Sequence, residues 1–212
     1  MMKTVYLTSN YLAPVEYYAK LFAADKAYIE RHDNYVKQTY RNRCVIAAAD
    51  GPLALTIPTE KTAEGKCLMR DIRISDHGNW RHLHWQALVA SYYNSPFFEY
   101  YEDDFRPFYE KKWDYLIDFN DAIMQKCCEL IDIQPLLRRS DSYVKIDGGI
   151  DYRALLNPKI PFETDNQFVP KQYYQVFQQK QGFKPNLSIA DLIFNMGPES
   201  VLVLQSSLCE SR

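Results

Sequence analysis

Residues 3–30, "KTVYLTSNYLAPVEYYAKLFAADKAYIE", contain the pattern from which the architecture of the chain is best predicted. Side chains alternate between apolar and other types over Lys3–Thr8, which predicts a first β-strand. From Pro14 onward apolar side chains recur at helical spacing, and a helix tolerates proline in its first turn. A second strand-like segment follows and ends near Glu30. This order of strand, helix and strand predicts a right-handed βαβ unit with parallel strands.

The segments after this unit predict a hairpin and two loops. Two β-prone runs flank Asp50-Gly51, a dipeptide that favours a two-residue hairpin turn. The polar stretch "TEKTAEGKC", residues 59–67, has no period and predicts an exposed loop. The pattern is also weak over 138–168, where we expect a long ordered loop, and such loops are often functional.

Helical patterns dominate the rest of the chain. One predicted helix begins after Asn79, which is placed to cap it. Two more are predicted over Lys111–Phe119 and Asp121–Ile131. Ser188 and Asp191 have the spacing of a capping box for the last helix, which Gly197-Pro198 ends.

The composition fits one folded domain and argues against several classes of protein. With 212 residues, of which 47% are hydrophobic, the chain can bury a sizeable core, so we expect a single domain over 1–212. The 25 basic and 27 acidic residues are spread along the chain, so we expect no nucleic-acid partner. The sequence has no secretory signal and no apolar run of ~20 residues, so we expect no membrane span.

The cysteines and the predicted elements complete this first assignment. The five cysteines are odd in number and lack CxxC spacing, which argues against a disulfide framework or a zinc site and favours the cytoplasm. The elements predict an α/β fold, a single domain with an N-terminal βαβ unit and parallel strands, a β-hairpin, and a helical C-terminal half.

Four segments stand out as motifs in the sequence. They are "TSNYLAPVEYYAKL" (8–21), "HDNYVKQTYRNR" (32–43), "NWRHLHWQALVASYYNSPFF" (79–98) and "GFKPNLSIADLIFNMGP" (182–198). In this order and at this spacing they resemble the WbqC-like proteins, over nearly the whole chain, and the last segment is the most specific. The resemblance implies a context more than a mechanism, because that family is largely uncharacterised and is associated with bacterial surface-polysaccharide biosynthesis.

Two polar clusters follow the two predicted strands. Ser9, Asn10 and Tyr11 follow the first, and His32 and Asp33 follow the second. Ligands of open α/β sheets bind outside the carboxyl ends of the strands, so both clusters are candidate ligand contacts. For the first cluster the alternative is a turn that caps the helix. In the second cluster, His32 could act as a general base that Asp33 orients. The alternative is a solvated strand end, because adjacent side chains on an extended chain point in opposite directions and need not act together.

Arg41 and Arg43 are a candidate phosphate-binding pair. They are two residues apart and share a face if the hairpin strand includes both. Two guanidinium groups side by side can bind a phosphate or a carboxylate bidentately. The alternative is two surface arginines paired with acidic neighbours.

His84 and Asn186 are further candidates for substrate binding. His84 lies on the apolar stripe of its predicted helix, where a hydrogen-bonded core histidine is the alternative to a catalytic role. Asn186 follows Pro185 and precedes the cap of the last helix, so capping does not account for it. The four histidines lack HxxxH spacing, so we expect no metal, and the sequence names no cofactor.

These residues lead to two hypotheses of different classes. The first is a transferase of surface-polysaccharide biosynthesis whose small-molecule substrate is a nucleotide-activated or phosphorylated sugar, with acyl or aminoacyl transfer as one compatible chemistry. Its catalytic residues would be His32 and Asp33. The second is a non-catalytic binding or assembly subunit of a polysaccharide-synthesis complex, with an exposed aromatic patch within 91–110. Both hypotheses are compatible with a homo-oligomer.

Overall fold

The computed structural model describes residues 4–61, 67–139 and 141–209. Most of the loop predicted over 59–67 lies outside the described residues. Within the described ranges, no helix combines the length and apolar character that crossing a bilayer requires.

The N-terminal βαβ unit has the predicted form. Strand β1 covers Thr4–Thr8, helix α1 covers Val15–Ala23, and strand β2 covers Lys26–Glu30. The two strands pair in parallel along their whole length. Pro14 directly precedes α1, where its missing N–H leaves no helical hydrogen bond unmade.

The predicted hairpin is also confirmed. Strand β3 covers Arg43–Ala48 and pairs in antiparallel fashion with β4, which covers Gly51–Thr56. The two turn residues are Ala49 and Asp50, one position before the predicted Asp50-Gly51. Gly51 is the first residue of β4, and its φ angle of 129° lies in a region that favours glycine.

Two very short strands complete a four-stranded parallel sheet. Strand β5 covers Leu137–Arg138 and pairs with β2, and β6 covers Ile150–Asp151 and pairs with β1. The strand order is therefore β5-β2-β1-β6. The loop predicted over 138–168 thus contributes to the sheet, because a strand of two residues is too short to show alternation and depends on its neighbour for pairing.

The helices after the hairpin differ from the prediction in number and position. Helix α2 covers Trp80–Tyr92, α3 covers Phe98–Glu110, and α4 covers Leu116–Leu130. Helix α3 is not among the predicted helices, because Pro96 and Pro107 interrupt this aromatic-rich part of the sequence. Pro107 nevertheless lies near the end of α3, where only one backbone hydrogen bond is lost. The two helices predicted over 111–131 are one helix, α4. Asn79 has a φ of 48° and its side chain makes no capping bond, so that predicted cap is wrong.

Three short helices end the described chain. They are α5 (Gln178–Gln181), α6 (Ile189–Met196) and α7 (Ser200–Ser206). The Ser188 side chain accepts a hydrogen bond from Ala190 N and caps α6 as predicted. The predicted capping box is wrong, because the backbone N–H of Ser188 donates to Val45 O and the Asp191 carboxylate is bound by other groups.

The parallel sheet has two different faces. Val5 and Leu7 of β1, with Ala27 and Ile29 of β2, belong to the hydrophobic core. Tyr6 and Tyr28 are paired in register on the opposite face, where their rings stack. The core therefore lies on one side of β1 and β2, and a tyrosine-lined surface lies on the other.

Candidate functional site

The two polar clusters predicted from the sequence meet at the carboxyl edge of the sheet. Thr8, the last residue of β1, lies opposite Glu30, the last residue of β2. The chain therefore leaves both strands at the same edge, and the parallel pairing brings their following residues to one region.

Asn120 of α4 connects these segments. It is 1% exposed, and its Nδ2 donates to Ser9 Oγ at 3.3 Å and to Arg41 O at 2.8 Å. Sequence reasoning misses Asn120, which falls in the gap between two predicted helices. A signal was present, because Leu116, Asn120 and Ile123 follow the spacing of one helical face, so an amide stands on an otherwise apolar stripe.

Arg41 and Asp33 form an ion pair beside Asn120. The Arg41 guanidinium contacts Asp33 Oδ2, and both side chains are about nine-tenths buried. Burial raises the pKa of Asp33 above its ordinary value, and the adjacent Arg41 guanidinium opposes that rise. The pair can thus offer an anion-binding guanidinium and a carboxyl group that accepts a proton more readily than an exposed aspartate.

Several buried polar atoms at this edge have no hydrogen-bond partner among the described residues. We use the name carboxyl-edge cluster for Asn10, Asp33, Arg41 and Asn120. The unpaired atoms are Asn10 Nδ2, Asp33 Oδ1, Arg41 Nε and Asn120 Oδ1. Because an unpaired buried polar group costs about 1–3 kcal/mol, most such groups in proteins are paired. The unpaired atoms are two donors and two acceptors, on residues that follow the two neighbouring strands or contact the residues that do.

Glu30 fixes the backbone that leads into this region. Its carboxylate is 1% exposed and accepts four hydrogen bonds, from the backbone N–H groups of Arg31, His32 and Val144 and from the Arg153 guanidinium, at 2.9–3.0 Å. Arg153 also binds Asp151 through two guanidinium nitrogens. Sequence reasoning also misses Glu30, which the alternation of β2 does not distinguish from a surface residue.

His32 and Asp33 have different neighbours. The Arg70 guanidinium lies 3.1 Å from His32 Nδ1 at the protein surface, whereas the Asp33 carboxylate is bound to Arg41. Arg41 and Asp33 thus form the closest charged contact at this edge, and His32, which is half-buried, precedes Asp33 in the chain.

Tyr11 and His84 lie together inside the core. The Tyr11 hydroxyl is 3.1 Å from His84 Nδ1 and 2.9 Å from the Tyr109 hydroxyl, and Tyr11 is 0% exposed. Burial lowers the pKa of His84 to about 4, and the Thr56 carbonyl bound to the ring opposes that fall. The imidazole is therefore neutral near pH 7, and contact of either residue with a substrate would require the core to open.

Asn186 holds the start of α1. Its Oδ1 accepts a hydrogen bond from Glu16 N at 2.9 Å, and its Nδ2 donates to Glu16 Oε2 at 3.0 Å. Asn186 therefore caps a helix 170 residues away in sequence, a role that the chain order conceals.

Arg43 and Arg41 have different neighbours. Burial raises the pKa of Tyr40 to about 12, Glu16 raises it further, and Arg43 opposes both. The structure thus associates Arg43 with Tyr40, and Arg41 with Asp33. The Nε of Arg43 is buried and has no hydrogen-bond partner among the described residues.

A buried ionic cluster follows on α1. Lys20, 2% exposed, forms an ion pair with Asp165, and its Nζ lies 4.9 Å from the ring centre of Tyr152. Burial raises the pKa of Glu16 to about 7; Asn186 and Lys20 oppose this rise, and Asp165 adds to it. In the described part of the chain, no three His, Cys, Asp or Glu side chains come together in a way that suits a metal ion.

Comparison with known proteins assigns a family. The profile of the WbqC-like protein family matches residues 8–157, which include the first three motif segments and exclude the fourth, 182–198. The chain is also similar to "Uncharacterized protein Rv1507c" of Mycobacterium tuberculosis, with 26% identity over 94% of this chain and 96% of that relative. No solved structure matches the chain. Because the family profile covers more than half of the sequence, the chain belongs to the WbqC-like protein family.

Proposed function

We propose that the protein is a transferase of bacterial surface-polysaccharide biosynthesis that acts on a nucleotide-activated or phosphorylated sugar-type substrate. The observation that carries this proposal is the carboxyl-edge cluster, with its four unpaired buried polar atoms. A bound ligand would pair these atoms and remove the cost of leaving them unpaired. The context of polysaccharide synthesis comes from the association of the WbqC-like family.

The donors of the cluster suit a phosphate group. Arg41 Nε and Asn10 Nδ2 are N–H donors, and a guanidinium binds phosphate oxygens with charge-assisted hydrogen bonds. Asp33 Oδ1 and Asn120 Oδ1 are acceptors and suit the hydroxyl groups of a sugar. In this proposal Arg41 and Asn10 hold the activated donor, and His32, which is partly exposed at the same edge, moves the proton of the acceptor.

The first experiment is a thermal-shift screen against nucleotides, nucleotide sugars, sugar phosphates and acyl donors. A ligand present at 100 times its Kd stabilises the folded state by about 2.7 kcal/mol, which is readily measured. We expect a shift with the wild-type protein and none with Asn10→Asp, which keeps the shape of the side chain and replaces an N–H donor by an oxygen. A ligand that shifts both proteins equally would contradict binding at the cluster.

The second experiment tests the proton-transfer role of His32. With a ligand and acceptor from the screen, His32→Asn should lower kcat by about 100-fold and leave Kd unchanged. His82→Asn is the matched control, because His82 is an exposed histidine on α2. An equal loss in both variants, or none in either, would remove His32 from the mechanism.

A second candidate function is a non-catalytic assembly subunit. It is favoured by exposed aromatic side chains near the turn between α2 and α3, where Tyr93 is 69% and Tyr100 75% exposed. Such side chains are common at protein interfaces. A ligand screen without any hit, together with co-purification of a synthesis enzyme that Tyr93→Ser and Tyr100→Ser abolish, would favour this function over the transferase.

A further inference from the structure

A polar cavity lies on the tyrosine-lined face of the sheet, and none of the residues of the carboxyl-edge cluster lines it. We call it the sheet-face cavity. Its volume is about 480 Å³, and its lining includes Tyr6 and Tyr28 of the strands, Lys26, and the segment 142–147. Small-molecule sites commonly have this size.

The wall of the cavity is fixed to the sheet at three points. Glu30 Oε2 accepts a hydrogen bond from Val144 N at 2.9 Å, and the Tyr6 hydroxyl accepts one from Asp147 N at 3.2 Å. Gly149 has a φ of 78° and packs so closely on β1 that a Cβ would overlap Thr4 O. Segment 142–147 is therefore held in place by the strands that form the floor.

Cationic side chains already lie over the rings of Tyr6 and Tyr28, which form the floor of the cavity. Tyr6 and Tyr28 stack with ring centres 5.4 Å apart and planes 9° apart. The Cζ atom of Arg153, which lies just after β6, is 5.7 Å from the Tyr6 ring centre. The Nζ atom of Lys26 is 4.6 Å from the Tyr28 ring centre. Because both sides of the stacked pair are occupied, a nucleobase finds no bare ring face on which to stack.

The groups in the cavity that can bind a ligand are lysine ammonium groups and tyrosine hydroxyls. Lys26 and Lys145 line the cavity, and neither forms an ion pair or hydrogen bond with a side chain or backbone group in the described ranges. Asp147 also lines it, so the lysines exceed the carboxylate by one charge. The phenol groups of Tyr28 and Tyr143 add hydroxyls that can bond to the hydroxyls of a sugar.

We propose that the sheet-face cavity binds a small sugar that carries a phosphate or carboxylate group. Lys26 and Lys145 pair with the anionic group, and the tyrosine hydroxyls bond to the sugar. This assignment does not depend on the transferase reaction proposed above, because the cavity and the carboxyl-edge cluster use different residues. It would hold equally for an assembly subunit.

The test is an NMR titration of the ¹⁵N-labelled full-length protein with glucose 1-phosphate and with glucuronate, alongside glucose, inorganic phosphate and uridine monophosphate. We expect one of the two anionic sugars to shift amide signals of residues 26–28 and 143–147. The double substitution Lys26→Gln and Lys145→Gln should weaken that binding at least about tenfold. Lys159→Gln removes one charge at an exposed position that does not line the cavity, and it should change the affinity less than about twofold.

The outcomes separate this proposal from the first one. Shifts confined to residues 32–41 would overturn the sheet-face site and support the carboxyl-edge site. Equal affinity for neutral glucose would overturn the role of the lysines, and equal affinity for inorganic phosphate would overturn the assignment to a sugar. Tighter binding of uridine monophosphate than of either sugar would show that the base is recognised and would also overturn it.

Discussion

Asp191, which is buried, and Asp33, which is half-buried, have very different hydrogen-bond partners. Asp191 of α6 is 0% exposed, and its two oxygens accept hydrogen bonds from Tyr92, Tyr173 and Gln175 at 2.7–2.9 Å. Asp33 at the carboxyl edge has Arg41 as its charged partner, and its Oδ1 is unpaired among the described residues.

The difference separates a structural role from the binding role that we propose for the carboxyl-edge cluster. The donors around Asp191 come from α2 and from the chain before α5, so this carboxylate joins distant segments and has no capacity left for a ligand. Burial raises the pKa of Asp191 to about 6, although the three donors oppose that rise. The carboxyl-edge cluster instead contains buried donors and acceptors that have no partner in the described part of the chain, at the edge where parallel sheets bind their ligands.

The largest effect is expected from substituting Asp191. Asp191→Asn should lower the free energy of unfolding by about 2–4 kcal/mol, because an amide N–H would then face donors that need an acceptor. Asp33→Asn is the matched substitution and should cost less than Asp191→Asn, since Asn still offers Arg41 an oxygen and only one oxygen of Asp33 is bound. Urea unfolding followed by circular dichroism measures both. Equal losses in the two variants would remove the distinction between the sites.

A smaller loss is expected in the core beside the cluster. Tyr11→Phe removes a hydroxyl that contacts His84 and Tyr109, so we expect a loss of about 1–2 kcal/mol. Tyr100→Phe removes the same hydroxyl from a side chain that is 75% exposed and should change stability by less than about 0.5 kcal/mol. If Tyr11→Phe were also neutral in urea unfolding, the core hydrogen bonds would contribute nothing measurable to stability.

Glu16 predicts a pH dependence with a definite sign. Its pKa is raised to about 7 in the folded protein, so between pH 4.5 and 7 the folded state binds more protons at this site than the unfolded state. Its contribution to stability is therefore complete below pH 4.5 and is lost as the pH rises to 7, by on the order of 1 kcal/mol per pH unit.

Glu16→Gln isolates this contribution. Stability curves of the variant and the wild type, measured by urea unfolding from pH 4.5 to 8, should differ by an amount that changes up to pH 7 and is constant above it. Asp165 and Lys20 are charged neighbours of Glu16, so the difference between the curves, rather than either curve alone, is the informative quantity. Parallel curves over the whole range would contradict a raised pKa at Glu16.

The local parts of the fold could be predicted from the sequence. The βαβ unit and the hairpin each depend on contacts between segments that are close in the chain, so their periodicity and turn residues are sufficient. Strands β5 and β6 have two residues each, and only the partners β2 and β1 define them. Helix α3 is absent from the prediction, because the sequence alone does not distinguish a proline near a helix end, such as Pro107, from one in a helix centre.

The candidate site could be predicted only in part. The residues after β1 and β2 were identified because a parallel pair brings its carboxyl ends together. Asn120 and Glu30 were missed, since their importance lies in burial against segments that are distant in the chain. For Asn186 and Asp191 the sequence predicts a role that the structure replaces. Asn186 is predicted to contact substrate but binds Glu16 at the start of α1, and Asp191 is predicted to cap its own helix but accepts a hydrogen bond from Tyr173.

The most direct test of the central claim is to measure stability and binding on the same Asn10→Ala protein. The substitution removes a buried donor without a described partner and one hydrogen bond from Thr8. We predict a free energy of unfolding within about 0.5 kcal/mol of the wild type and at least a tenfold weaker calorimetric affinity for UDP-glucose or pyrophosphate. A clear loss of stability with unchanged affinity would contradict the account and make Asn10 a structural residue.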